Sequence, residues 1–254
     1  MRSLYVAASG MSAQQLRIDS IANNLANVNT TGFKKGRESF QDVFYQELTA
    51  GGRGVSSARL EVGGGVRLAG LEKDHRAGIM IETGNPLHVA IAGRGFLEFT
   101  TTDGQSVYSR DGNMTMTGDG TLVQASTGLQ LAGNFRIPIE AEQVNIAPDG
   151  NVTYTVKGEA NPVNLGQIFV KTFVNPNGLK SLGGNLYQET AQSGEPQIPR
   201  EGQVELRAGQ LEGSNVDASE ELISMILAQR AYELSSKVIQ ASDETLQVTN
   251  NLKR

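Results

Sequence analysis

Cysteine and tryptophan are absent from this 254-residue chain, and histidine occurs only twice. Without cysteine there is neither a disulfide framework nor a thiolate nucleophile, and two histidines are too few for a multi-histidine metal site. No apolar run approaches the ~18 residues that cross a bilayer, so no membrane insertion is expected. The opening Met1-Arg2-Ser3-Leu4-Tyr5-Val6-Ala7-Ala8 breaks off at Gln14 and Gln15 with no small-residue cleavage site in reach, and a cleaved signal peptide is not expected. Basic blocks are lacking as well. With 22 basic against 27 acidic residues and a net charge of −5, no surface for nucleic acid or an acidic membrane is foreseen.

Catalytic patterns are missing too. His75 follows Lys73 and Asp74, and His88 sits in Pro86-Leu87-His88-Val89-Ala90-Ile91. Neither has a serine or carboxylate at a spacing that implies a triad. Gly93-Arg94-Gly95 precedes no helical pattern, which argues against a phosphate loop. The chain therefore reads as a non-enzyme with no catalytic, cofactor or metal site.

Glycine, by contrast, is abundant: 30 residues, well above the usual share of about 7%. Gly104, Gly112, Gly120 and Gly128 recur every eight residues, the first three after aspartate. Asp-Gly favours tight hairpin turns because both central positions need positive φ. Between the turns lie short pieces carrying Phe96, Phe99, Val107, Met114, Met116, Leu122, Leu129 and Leu131. This predicts a meander of antiparallel strands, extended by a turn at Asp149-Gly150 and a strand over 167–174. Asp103, Asp111, Asp119 and Asp149 are assigned to capping their own turns rather than to a carboxylate pair or a calcium repeat. Residues 183–209 read as a return connection. Phe40, Val43, Phe44 and Leu48 fall at helical spacing, and 49–70 reads as an extended, hairpin-like excursion.

The two ends are helical. Leu4, Met11, Ile18 and Leu25 form one row at seven-residue spacing, and Ala7, Gln14, Ile21 and Val28 form a second row three places on. Together they make a narrow apolar seam that needs a partner. Ser3 is the expected N-cap and Gly32 the expected stop. The polar positions between are amides, with few charges, as suits a helix buried on several sides. At the other end, Asp217 and Glu220 make a capping box for a helix of roughly 35 residues. It carries one stripe at Leu227, Ala231, Leu234, Val238, Ala241, Thr245, Val248 and Leu252 and another at Met225, Tyr232, Ile239 and Leu246. One stripe is expected to pair with the first helix and the other to be covered by neighbouring copies. Closing the long loop between the helices is entropically costly, so poorly ordered ends are expected in an isolated monomer.

Several stretches resemble a known family. Asn24-Leu25-Ala26-Asn27-Val28-Asn29-Thr30-Thr31-Gly32-Phe33-Lys34 resembles the N-terminal signature of bacterial flagellar rod and hook proteins, the axial proteins of the basal body. Leu211-Glu212-Gly213-Ser214-Asn215-Val216 and the run from Glu221 to Glu233 resemble the C-terminal signature. Gly84 to Phe96 and Tyr108-Ser109-Arg110-Asp111-Gly112 resemble its middle. Length and the texts Met1-Arg2-Ser3-Leu4 and Gln229-Arg230-Ala231-Tyr232-Glu233 are most similar to the distal-rod branch, with the proximal-rod branch or an adaptor of the same axial structure as the alternative.

The resemblance implies an α+β chain. Long terminal helices over 1–34 and 214–254 would form a coiled-coil inner tube, 35–72 a connecting segment, and 73–213 a mainly antiparallel β-rich outer domain. It implies a self-assembling, hollow helical drive shaft that carries torque from motor to hook and conducts exported subunits. The implied partners are further copies, other rod proteins and the hook protein, the surrounding L and P rings, and the flagellar export apparatus. The implied place is the rod in the periplasm, reached without a cleaved signal. The candidate assembly interface is Leu4, Met11, Ile18, Ile21, Asn24, Leu25, Asn27, Val28, Thr30, Gly32 and Phe33, with Met225, Leu227, Arg230, Ala231, Tyr232, Leu234, Val238, Ile239 and Leu246. The residues by themselves leave a monomeric β-rich binding module or enzyme as the competing reading.

Overall fold

The structure, a computed structural model, describes residues 2–43, 46–49, 59–157, 161–200 and 202–251. It is α+β, with a helix at each end and antiparallel sheets between. Two compact units are present: Met1–Ala26, Gly36–Glu72 and Asp217–Arg254 form one, Asn27–Lys35 and Lys73–Val216 the other.

In the helical unit, α1 spans Arg2–Ala26 and α2 spans Ala218–Asn251. Asp217 caps α2 as expected, its Oδ1 accepting from the backbone N–H groups of Ser219 (2.8 Å) and Glu220 (3.3 Å). The expected limits of α1 need correction. Ser3 lies inside the helix, and the helix ends at Ala26 rather than at Gly32. Past Ala26 the chain takes successive turns, Thr30 N–H to the Asn27 carbonyl and Phe33 N–H to the Thr30 carbonyl. The Thr30 hydroxyl meets the Asn27 amide at 3.2 Å, the local side-chain bonding that competes with helix.

The helical spacing of Phe40 and Val43 is also overturned. Gly36–Asp42 is a strand paired with Val66–Lys73, and Gln46–Thr49 pairs antiparallel with Arg59–Val62. Phe44 and 50–58 lie outside the described residues. A pattern of four apolar residues is too short to hold against a long-range pairing partner. Asn24 also draws the chain into extended form, its amide exchanging two bonds with the Gly36 backbone at 2.8 and 3.0 Å.

In the β-rich unit the largest sheet runs Lys180–Gly183, Leu186–Gln188, Ser106–Ser109, Phe96–Thr100, Gln130–Leu131, Leu122–Gln124, Met114–Met116, with Val170–Lys171 also paired to Phe96–Thr100. A three-stranded sheet joins Ala141–Ile146, Asn151–Val156 and Val163–Gln167. The strand expected over 167–174 is thus split between two sheets. Gly104, Gly120 and Gly150 have φ of 78°, 80° and 91° and make the expected reversals.

Asp111-Gly112 does not make a turn of this kind. Gly112 is not left-handed, and a Cβ there would overlap the Val89 carbonyl. Glycine is needed at this position for close approach of two backbones. Residues 183–209 are more than a connection: Val204–Ala208 pairs along all of Val89–Gly93, with Leu206 buried in the core.

Strand alternation separates two apolar clusters. Leu97 and Phe99 enter the main core with Val89, Ile91, Met114 and Leu122, while Phe96 points the other way into an aromatic group with Tyr108, Phe173 and Tyr187. Met116, one of the apolar residues between the turns, is exposed.

Candidate assembly surface and its anchor

Along α1, Leu4, Ala7, Met11, Gln14, Ile18, Ile21 and Leu25 are all buried or half-buried. Ala7, Ala13, Ile21 and Asn24 are the most enclosed. The corresponding face of α2 is not the stripe of large residues. The covered row is Glu221, Ala228, Ser235 and Ser242, flanked by Met225, Ala231 and Ile239. A Cβ on Gly10 would lie 3.8 Å from the Ser235 hydroxyl, and the Asn24 amide donates to the Glu221 carboxylate at 3.2 Å. Small and polar side chains let the two helices approach closely, since interaxial distance follows the side chains at the contact.

The large apolar residues face away. Leu227 and Leu234 are 62% and 63% exposed and Val238 is 49% exposed. Leu222, Ile223, Ile226, Leu246 and Val248 join them on the surface. Of the other candidates, Tyr232 is exposed, and Arg230 is exposed and paired with Glu233 of the same helix at 2.8 Å. An apolar strip along a helix of ~50 Å exceeds the scattered exposure that soluble monomers tolerate.

The remaining N-terminal candidates lie in the β-rich unit. Asn27, Val28 and Thr30 are half-buried there, and Gly32 and Phe33 are buried. Lys73 places its ammonium 4.8 Å from the Phe33 ring centre. Gly32 has φ +67° and donates its N–H to the Glu212 carbonyl at 2.8 Å. A Cβ at Gly32 would fall 2.6 Å from the Asp111 nitrogen. Gly32→Ala is therefore expected to cost the β-rich unit at least about 2 kcal/mol, whereas Gly104→Ala, equally left-handed but open, costs about 1 kcal/mol. Urea midpoints of the two variants check this; equal losses would show that the close approach is unimportant.

Next to Gly32 is an arrangement that the sequence did not disclose. Lys34, Arg110 and Glu212 are 0%, 2% and 1% exposed. The Lys34 ammonium donates to Glu212 Oε1 at 2.5 Å and to the Arg76 carbonyl at 2.7 Å. Arg110 donates to Glu212 Oε2 at 3.0 Å and to the Gly93 carbonyl at 2.8 Å. Gly78 N–H completes the carboxylate's shell at 2.9 Å. Burial lowers the Lys34 pKa, against the attraction of Glu212. Asp111, assigned from sequence to its own turn, does accept from Asn113 N–H, but it also takes bonds from the Thr31 and Ser126 hydroxyls and the Gln124 amide.

Each member of the ion cluster lies in a different quoted motif: Lys34 ends the N-terminal one, Arg110 is at the centre of the one over 108–112, and Glu212 is second in the one over 211–216. The signal was present in the sequence, but nothing in it joined residues so far apart. His75 stands beside the cluster, edge-on to Phe96 and Tyr187 at 5.5 and 5.6 Å. Burial, then the charges of Lys34 and Arg110, lower its pKa to about 4. Burial pushes the Tyr187 hydroxyl up to about 12.

Among the described residues no group of three or more acidic or histidine side chains is placed to hold a metal ion. No described helix is long and apolar enough to cross a membrane.

Comparison with known proteins agrees with this layout. Residues 4–34 match the family described as "Flagella basal body rod protein". Residues 90–154 match "Flagellar hook protein FlgE/F/G D1 domain", and 207–252 match "Flagellar basal body rod FlgEFG protein C-terminal". The flagellar basal-body rod protein FlgG of Borreliella burgdorferi is 44% identical over 100% of this chain and 99% of its own length. That of Agrobacterium fabrum is 41% identical over the full length of both. The flagellar hook protein FlgE of Treponema pallidum is 41% identical over 57% of this chain and 32% of its own length. Full-length identity to the rod proteins, with the helices and β-rich unit all included, establishes that this chain belongs to the FlgG family of flagellar basal-body rod proteins.

Proposed function

We propose that the chain is a structural subunit of the distal rod, which polymerises into a hollow helical shaft that carries torque from motor to hook and lets exported subunits pass. The observation that carries this reading is the outward apolar face of α2. Large side chains left in water on one face are stabilised by further copies, and a filament subunit has neighbours on several sides. The segments 1–34 and 214–254, through the helices α1 and α2 that they carry, then form a coiled-coil inner tube, the β-rich part over 73–213 the outer layer, and 35–72 a brace between copies. The N-terminal and α2 candidates named above are the contact residues in this arrangement. Other rod proteins and the hook protein continue the axis, the L and P rings surround it, and the flagellar export apparatus delivers the subunit to the periplasm-spanning rod.

The test is assembly of purified protein at high concentration, followed by electron microscopy. Wild-type chain is expected to give helical rods, and Ile18→Lys or Leu25→Lys to give none while the β-rich unit keeps its melting transition. Normal rods from either variant, or an unaltered monomer of the wild type at every concentration, would overturn the reading.

A further inference from the structure

The hydrogen-bonded segment that carries His75 also holds residues 34 and 35 in place. Asp74 N–H donates to the Lys35 carbonyl at 2.9 Å, and Lys73 Nζ donates to the Lys34 carbonyl at 3.2 Å. The Arg76 carbonyl receives the Lys34 ammonium. Displacing the His75 ring thus pulls on the same bonds that dock residues 27–35.

The ring's surroundings suit only its neutral form. It packs edge-on against two aromatic rings, and one nitrogen serves the Pro176 carbonyl. Its Nδ1 is buried and has no hydrogen-bond partner among the described residues. A proton placed there gains no acceptor, and a buried donor without one is costly.

The charges that face the ring are as follows. From the docked segment comes Lys34, and from the residue after strand Ser106–Ser109 comes Arg110; Glu212, on strand Gln210–Glu212, is bonded to both. Tyr187 lies on the strand packed against the ring and is neutral. On the ring's own segment, Lys73 leans over Phe33, and Asp74 is bonded to Arg76 through both oxygens at 3.0 and 2.8 Å. Two cations already share the one buried carboxylate of the cluster.

We propose that His75 is a proton-operated release for the clamp on residues 27–35: once protonated, the imidazole is a third cation beside a single buried carboxylate, it leaves its aromatic slot, and the segment undocks. The sign follows from linkage. The native state holds the imidazole neutral to a lower pH than the unfolded chain does, so the docked form is favoured above pH 6.5 and loses ground as pH falls from 6.5 towards 4. The opening equilibrium of the segment rises by up to about tenfold per pH unit across that window.

With only two histidines in the chain, imidazole C2–H signals can be followed by NMR in the full chain, with His88→Gln to assign them. Amide hydrogen exchange over residues 30–36, corrected for intrinsic rates, reports undocking at each pH. The expected result is a His75 signal that titrates well below pH 6.5, with opening that begins to rise near pH 6.5 and levels off where that signal titrates. His75→Phe, which keeps a ring and removes the proton site, is expected to flatten that rise. An equal rise in His75→Phe, or a His75 that titrates near pH 6.5 while residues 30–36 stay protected, would overturn the proposal. Should His75→Phe not fold, wild type alone decides, because an opening that stays flat from pH 6.5 down to the His75 titration is incompatible with the release.

Discussion

Glu212→Gln lowers the unfolding free energy of the β-rich unit by about 3–5 kcal/mol, the usual cost of leaving a buried charge without its partner. The substitution keeps shape and volume. It leaves Lys34 and Arg110 both buried with no anion between them, and gives Gly78 N–H a weaker acceptor. Urea unfolding followed by far-UV circular dichroism measures the loss, which is a large part of a typical domain's stability of 5–15 kcal/mol. The double variant Lys34→Met/Glu212→Gln is expected to lose less than Glu212→Gln alone, because it removes one of the stranded cations together with the anion. Additive losses in that pair would mean the two groups act independently. A Glu212→Gln within about 1 kcal/mol of wild type would show that water or another group screens the site.

Why that cluster escaped the sequence reading is instructive. Lys34 and Glu212 are 178 positions apart, and Arg110 and Glu212 are 102 apart; no local period links them. Features set by local chemistry were legible. Asp217 capped its helix, and Gly104, Gly120 and Gly150 adopted the left-handed φ that the Asp-Gly text demanded.

Where a distant partner decides the structure, the local reading failed. Residues 36–42 form a strand because 66–73 lies beside them. Gly112 serves a backbone contact with Val89 rather than a turn. The faces of α2 were misjudged for a related reason. Hydrophobicity alone offered two stripes of large residues, either of which could face α1, but the space against α1 admits Ala228 and Ser235. Packing geometry, which one sequence does not display, selected the smaller side chains.

The triple variant Leu227→Asp/Leu234→Asp/Val238→Asp should abolish rod assembly while leaving the monomer's secondary structure unchanged. These side chains are more than 45% exposed in the single chain, so replacing them removes few contacts within it. In a polymer each is covered by a neighbour, and full burial of such a side chain is worth roughly 1.5–3 kcal/mol. Even a third of that at each of three positions raises the assembly concentration by roughly 10-fold to 100-fold, before the repulsion of three added carboxylates is counted. Sedimentation of assembled material against total protein gives the shift directly. Rods at wild-type concentration from the triple variant would exclude this face from the contact. A loss of helical signal in the monomer would show instead that the face is buried within the chain.

The pairing of Gly32 N–H with the Glu212 carbonyl, reinforced by Lys34, has a consequence for how the two helices find each other. Sequence alone sets them at opposite ends of a very long loop. In the folded β-rich unit that loop is already closed at 32–34 and 212, so only two short connections, residues 27–31 and 213–217, lead from the closure to α1 and α2. By the logarithmic dependence of loop entropy on length, this removes about 2 kcal/mol from the cost of their encounter. It also gives each helix a high effective concentration of the other. The β-rich unit thus serves as a template that converts a search across the whole chain into a local one.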